Sequence, residues 1–308
     1  MNKILDAWDI KIISEIEFDY LLSHQQIAKK IKRSKAFVSF RIRRLKDNNI
    51  IKFQPLIDYS ALGYTYYRVI IETILEKKDI IKHIRESVKT VWLVEKYDQE
   101  NFVLVFAAKT FSEFQELWEQ LYEKIAPYIL SKDVSVAYKV YHLPMTFLTK
   151  HPRDEYYVTG ANKEQQLNQT EKDIIDNLIK KPESTFKELA KNSDTSANTL
   201  KKLLGGLKKK KILLAFQTLI NKEALEIQHY KLFLSYEFTA KNKSQVLELL
   251  KNNPNVVYIT ETSYHHDLEC ELYTFDNLSF EKIIRELKSS YPFKRIIISQ
   301  MKSEEKLS

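Results

Sequence analysis

The chain of 308 residues contains a stretch of itself twice: Leu5 to Ile51 aligns without a gap onto Leu167 to Leu213 at a constant offset of 162. A repeat of that length requires two copies of one folded unit, because each copy must bury the same apolar faces. Leu5 pairs with Leu167, Ile13 with Ile175, Ile27-Ala28-Lys29 with Leu189-Ala190-Lys191, Ser34 with Ser196, Leu45 with Leu207 and Ile50 with Ile212. The offset then becomes 163, and Phe53-Gln54-Pro55-Leu56-Ile57 matches Phe216-Gln217-Thr218-Leu219-Ile220.

Each copy opens on three short helices whose starts carry a capping residue followed three positions later by an acid or amide. These are Asp6 with Asp9 and Ser23 with Gln26, then Asn168 with Glu171 and Thr185 with Glu188, while Ser34 and Ser196 open the third helices. Ile12, Ile13, Ile16, Ile27, Ile31, Val38, Ile42 and Leu45 recur at helical spacing and predict one small core. Ile50 to Gln54 and Ile212 to Gln217 read as strands of a hairpin, which makes each unit a winged helix-turn-helix.

A second unit follows each winged helix, with the order strand, helix, strand, strand, helix, strand. In copy one the segments are Tyr66 to Glu72, Lys78 to Ser87, Val91 to Tyr97, Phe102 to Ala107, Phe111 to Ile125 and Val134 to Tyr141. The economical arrangement is a ferredoxin-like βαββαβ unit, a four-stranded antiparallel sheet with helices on one face. The fold class is therefore α+β. The expected domains are 1–58, 59–142, 167–221 and 222–302, with a linker over 143–166 and a tail over 303–308. Tyr66, Tyr67, Trp92, Tyr97, Phe102, Phe106, Tyr138 and Tyr141 exceed what one thin unit needs for its own core. They suggest that the open sheet faces pair, either within the chain as a pseudo-dimer or between chains as a homodimer.

The net charge of +8 matters less than its distribution. Between Lys29 and Lys52 stand Lys29, Lys30, Lys32, Arg33, Lys35, Arg41, Arg43, Arg44, Lys46 and Lys52 against the single acid Asp47. Rotation of the third helix by 100° per residue turns Val38, Ile42 and Leu45 inward. Ala36, Phe40 and Arg43 then face outward, flanked by Ser34, Ser39 and Arg44. That face suits double-stranded DNA, with Arg43 reading guanine, Ala36 and Phe40 touching thymine methyls, and Lys30, Lys32, Arg33, Lys35, Arg41 and Lys52 supplying positive charge for backbone contact. In copy two Gly205 and Gly206 replace Arg43 and Arg44, which leaves Asn198, Lys201, Lys202, Lys208 and Lys209 as phosphate contacts, Asn198 also able to reach a base.

Leu5, Asp9, Ile13, Ser34, Val38, Arg41-Ile42, Arg44-Leu45 and Ile50-Ile51 resemble the winged-helix signature of the Lrp/AsnC (feast/famine) transcription regulators, and the sheet unit resembles their ligand-sensing, oligomerising domain. The resemblance implies a sequence-specific regulator of promoters and not an enzyme. It also implies a small-molecule effector, for which the family carries a glycine and an acid between the second and third sheet strands. Here Asp98-Gln99-Glu100-Asn101 and Ser263-Tyr264-His265-His266-Asp267 lack the glycine, although Asp267 falls near the acidic position. Sirohaem decarboxylases share the architecture and hold a carboxylated tetrapyrrole with histidine and arginine on the sheet. Phe102 to Ala107 carries no basic residue, and Arg68 has no histidine beside it, which sets that alternative and a protein-contact scaffold behind the regulator reading.

Adjacent histidines such as His265 and His266 point to opposite faces of a strand, which predicts solvated side chains and no metal site. No cofactor is expected. The lone Cys270 suits a reducing cytoplasm, and the absence of a signal pattern or an apolar run of membrane length suggests a cytoplasmic chain without a membrane partner.

Overall fold

The computed structural model describes residues 4–74, 77–87, 90–97, 102–150, 154–160, 162–263 and 266–306. Copy one begins with α1 (Ala7–Ile16), α2 (His24–Ile31) and α3 (Lys35–Asp47), and copy two with α7 (Gln169–Lys180), α8 (Phe186–Asn192) and α9 (Ala197–Lys209). The reciprocal caps read from the sequence form at Asp6/Asp9, Ser23/Gln26, Asn168/Glu171 and Thr185/Glu188. They fix where each helix starts by satisfying backbone N–H groups that have no helical partner. The stripe Ile12, Ile13, Ile16, Ile27, Ile31, Val38, Ile42 and Leu45 is buried in one cluster, each such side chain contributing roughly 1.5 to 3 kcal/mol by leaving water.

The strands that follow do not fold back within their own copies. β1 (Ile51–Ile57) pairs antiparallel with β7 (Leu213–Ile220), and the register centres on Gln54 opposite Gln217. The pairing closes on the two matched segments of the repeat, so the two helical units are joined across a pseudo-twofold axis instead of each closing its own hairpin.

The sheet units contribute β2 (Thr65–Thr73), α4 (Lys77–Ser87), β3 (Thr90–Lys96), β4 (Phe102–Ala108), α5 (Phe111–Ile125) and β5 (Ile129–His142) from copy one. The connecting stretch holds α6 (Thr146–Thr149) and β6 (Tyr157–Thr159). Copy two supplies β8 (Gln228–Ser235), α10 (Ala240–Lys251), β9 (Val256–Ser263), β10 (Leu268–Thr274), α11 (Asn277–Ser290) and β11 (Arg295–Lys306). The strand order is β2-β4-β3-β11-β8-β10-β9-β5-β6, and β2 also pairs with β5, so eight of these strands close into a barrel. This is the α+β class with the open sheet faces paired inside one chain.

Closure depends on two long strands. Residues Ile129–Ala137 of β5 pair with β2 of the same copy, and Val136–His142 pair with β9 of the other. In β11, Arg295–Gln300 pair with β8 of the same copy, and Met301–Lys306 pair with β3 of the other. Each strand bends between the two sheets where its register shifts, at 137/139 and 301/303.

Alternation along the strands divides side chains between two faces. Outward go Val69, Ile71, Leu93, Phe102, Leu104 and Phe106 against Ile80, Ile84, Phe114, Trp118 and Leu121 of the copy-one helices. Leu232, Leu234, Ile259, Leu268, Cys270 and Leu272 do the same against Val246, Leu250, Ile283 and Leu287. The aromatic surplus therefore divides: Phe102, Phe106 and Tyr67 pack under helices, Tyr66 and Trp92 line the interior, and Tyr97 and Tyr138 are exposed.

The stretch expected as a linker is anchored. Met145 and Leu148 join the copy-one helical core, β6 adds to β5, and the Gly160 N–H donates to Asp58 Oδ1 at 2.9 Å. Gly160 has φ +88°, and a Cβ there would stand 2.4 Å from the Tyr138 carbonyl oxygen, so only glycine passes this point without strain. Among the described residues no helix is long and apolar enough to cross a membrane.

Candidate functional site

Between the barrel mouth and the β1–β7 ribbon lies a cavity of about 810 Å³, in the upper part of the range typical of small-molecule and cofactor sites. Its roof is the ribbon, with Phe53, Gln54, Pro55, Gln217 and Thr218. Tyr66, Trp92, His142, His229, Tyr258 and Tyr273 stand around it, and Arg68, Val105, Lys231 and Glu271 lie deeper in the barrel.

Paired registers match interior positions of the two copies. Arg68 stands opposite Val105 on β4 and Ser135 on β5, as Lys231 stands opposite Glu271 on β10 and Ser299 on β11. The same correspondence relates Tyr66 to His229 and Val103 to Glu269. The frame is nearly symmetric and the chemistry is not: copy two has Glu269, Glu271 and His229 where copy one has Val103, Val105 and Tyr66.

A chain of alternating charges runs through the interior. Arg68 Nη1 donates to Glu269 Oε2 at 2.5 Å and Nη2 to Glu269 Oε1 at 2.7 Å, with Nη2 also reaching Ser135 and Thr262. Lys231 Nζ lies 2.8 Å from Glu269 Oε2 and 3.3 Å from Glu271 Oε1. His229 Nε2 is 3.0 Å from Glu271 Oε2, and Lys222 Nζ is 2.9 Å from His229 Nδ1. Lys222 also pairs with Glu304. An ammonium can only donate, so Nδ1 of His229 accepts and Nε2 holds the proton directed at Glu271.

Burial raises the Glu269 carboxyl, but Arg68 and Lys231 outweigh it and hold it well below the usual range. Glu271 is likewise lowered against burial, chiefly by Lys231 and the His229 hydrogen bond. For Lys231, desolvation lowers the ammonium while Glu269 and Glu271 raise it, with a net upward shift. His229 is pushed down by desolvation and then by Lys222, against the pull of Glu271.

Sequence reasoning did not select His229, Lys231, Glu269 or Glu271. A signal was present, since the offset of 163 that aligns Phe53 with Phe216 carries Arg68 onto Lys231 and Tyr66 onto His229. His266, expected to be solvated, is buried with Nε2 2.7 Å from Glu269 Oε1. Asp267 accepts the Tyr236 N–H at 2.9 Å. Asp98 to Asn101, Tyr264 and His265 lie outside the described residues, and among the described residues no group of acids, histidines and cysteines could hold a metal.

The helix residues selected for DNA separate into two sets. Arg41 Nη1 is 3.1 Å from Asp9 Oδ1, Arg44 also pairs with the fully buried Asp9, Lys30 pairs with Glu15, and Arg33 lies 4.0 Å over the Trp8 ring. Ser34 caps α3 through its hydroxyl, and Ser39 is half-buried. Lys32, Lys35, Ala36, Phe40 and Arg43 are exposed. Lys52 is exposed and lines the cavity roof. In copy two Asn198, Lys201, Lys202, Lys208 and Lys209 are exposed along α9, with Lys208 Nζ 5.2 Å over the Phe216 ring.

Neither a protein-family model nor a curated protein sequence matches the chain. Among solved structures, the siroheme decarboxylase NirDL in complex with an iron-uroporphyrin III analogue is 14% identical, with a TM-score of 0.63 over 97% of this chain and 92% of that one. NirDL without the analogue gives 13% and 0.62 over 96% and 91%. Lrp/AsnC-type structures match about half: AsnC of E. coli is 14% identical, with a TM-score of 0.38 over 44% of this chain and 91% of that one. The two full-length likenesses establish the fold.

The two full-length likenesses are to an enzyme, which goes against the expectation that the chain is not one. Both are structures of the siroheme decarboxylase NirDL, the alternative ranked behind the regulator. That ranking rested on the bare third strand of copy one and on Arg68 standing alone. In a barrel closed from both copies, the basic groups beside Arg68 come from copy two.

Proposed function

We propose that the chain binds a carboxylated tetrapyrrole in the cavity beneath the β1–β7 ribbon and removes carboxyl groups from it, as the name of its full-length structural neighbour suggests. The observation that carries this reading is a cavity of about 810 Å³ with aromatic walls and with Lys52, Lys222 and Lys302 in its lining beside the buried Arg68 and Lys231. Apolar walls take the ring system and cations take the carboxylates. In the reaction the bond to a carboxylate carbon breaks, CO₂ leaves, and the remaining carbon takes a proton. Lys222 and His229 form a hydrogen-bonded pair at the cavity edge able to deliver one. Titration with iron-uroporphyrin should shift its Soret band, and anaerobic incubation with siroheme should yield products lighter by successive CO₂ units. An unchanged Soret band at saturating pigment would refute the reading.

A second reading stands on a separate surface. Phe40 is 65% exposed on α3 beside exposed Arg43, Lys35 and Ala36, a composition suited to a DNA groove. It supports promoter binding by the first winged helix, with α9 gripping phosphate and the barrel serving as a built-in dimer. Preference for the gene's own upstream fragment over random duplex across a salt series tests it, and equal affinity for both would refute it.

A further inference from the structure

β3 and β9 stand four strands apart in either direction around the eight-stranded ring, so they face each other across the barrel. Trp92 and Tyr258 occupy matching places on them: Trp92 pairs with Val105 on β4 as Tyr258 pairs with Glu271 on β10. Both line the cavity, and both are half-buried in an interior where most neighbours are fully buried. Each ring has a polar or aromatic neighbour in the lining. Lys231 Nζ stands 5.6 Å from the Trp92 ring centre. The His142 ring meets Tyr258 edge-on at 5.4 Å, and the Gln217 side chain bonds the Tyr258 hydroxyl from the roof.

We infer that Trp92 and Tyr258 form an aromatic clamp that admits a flat conjugated ring system between them and rejects a puckered one bearing the same carboxylates. The inference rests on the tetrapyrrole reading above and adds what that reading leaves open, the shape requirement. An eight-stranded barrel is just wide enough for its side chains or for one small ligand, so two opposed rings set the thickness of what fits. Stacking on an aromatic face is tolerant of substituents and depends on planarity. The lysines of the lining, Lys52 among them, answer to charge alone and would hold either form.

The test compares uroporphyrin, which is planar, with uroporphyrinogen, which has the same carboxylates on a non-conjugated, flexible ring, under anaerobic conditions with the full chain. Wild type should prefer uroporphyrin by about tenfold or more, one stacking contact being worth that much. Trp92→Leu and Tyr258→Leu should each remove most of the preference, and Trp92→Phe should keep it. Circular dichroism of each variant checks that it folds. A preference retained in both leucine variants overturns the clamp while leaving tetrapyrrole binding intact. Failure of wild type to bind either compound overturns the tetrapyrrole reading and the clamp with it.

Discussion

Arg68 on β2 and Glu269 on β10 are 201 residues apart in the chain and share two hydrogen bonds inside the barrel, at 2.5 and 2.7 Å. Both are almost fully buried, with side chains 4% and 1% exposed. Removing one member of such a pair leaves a charge in a place water cannot reach. Arg68→Met should therefore cost about 3 kcal/mol, near the low end for a broken buried pair because Lys231 and His266 still face Glu269. Urea denaturation measures it, and a loss within 0.5 kcal/mol, roughly that of an ordinary surface change, would show that the pair contributes no net stability.

Acid should act in two stages. The buried His229 imidazole titrates below its usual 6.5 through desolvation and Lys222. Between that folded value and 6.5 the unfolded chain takes up a proton that the folded chain refuses. Stability should therefore fall as pH drops below 6.5, by at most about 1.4 kcal/mol per pH unit for this one proton. Glu269 and Glu271 are held below 4.5 in the folded state, which adds a second fall below pH 4.5. Thermal melts of His229→Gln from pH 8 to 3 should show a reduced first fall and keep the second.

These two groups also mark what the sequence made legible. The helical units were readable because capping boxes and a spacing of three to four residues are local, and Asp6/Asp9 and Thr185/Glu188 formed as their sequence suggested. Leu268-Glu269-Cys270-Glu271-Leu272 was equally readable as a strand with alternating faces. Period alone does not say which face meets water, and here the acids point into the barrel while the apolar face takes the helices. The charged chain takes Arg68 from copy one and its other members from copy two, so inspecting copy one revealed Arg68 without its partners.

On α3 the arginines should divide by role. Arg44→Ala leaves the buried Asp9 with less positive charge beside it and should lower the melting temperature whether or not DNA is present. Arg43→Ala, on the exposed face, should leave the melting temperature unchanged and weaken specific DNA binding by roughly 1 to 3 kcal/mol. Fluorescence anisotropy with differential scanning fluorimetry separates the two, and a melting change for Arg43→Ala would contradict the division.

Gly160→Ala combines a φ of +88° with a Cβ 2.4 Å from the Tyr138 carbonyl oxygen. The cost should be roughly 1 to 3 kcal/mol, read as a lower denaturation midpoint. Limited proteolysis of the variant should open the chain first around residues 154–160, where β6 and the Gly160 contact with Asp58 hold the connection.

Because β5 and β11 each pair over half their length with strands of the other copy, one chain closes a barrel that two identical chains would otherwise have to share. In a true homodimer every substitution appears twice, so a carboxylate introduced at one interior position would meet its own image across the axis. Fusion lifts that constraint. Glu269 and Glu271 could arise on one wall while Val103 and Val105 stayed on the other, and a doubled scaffold could become a single, one-sided chamber without losing the architecture that encloses it.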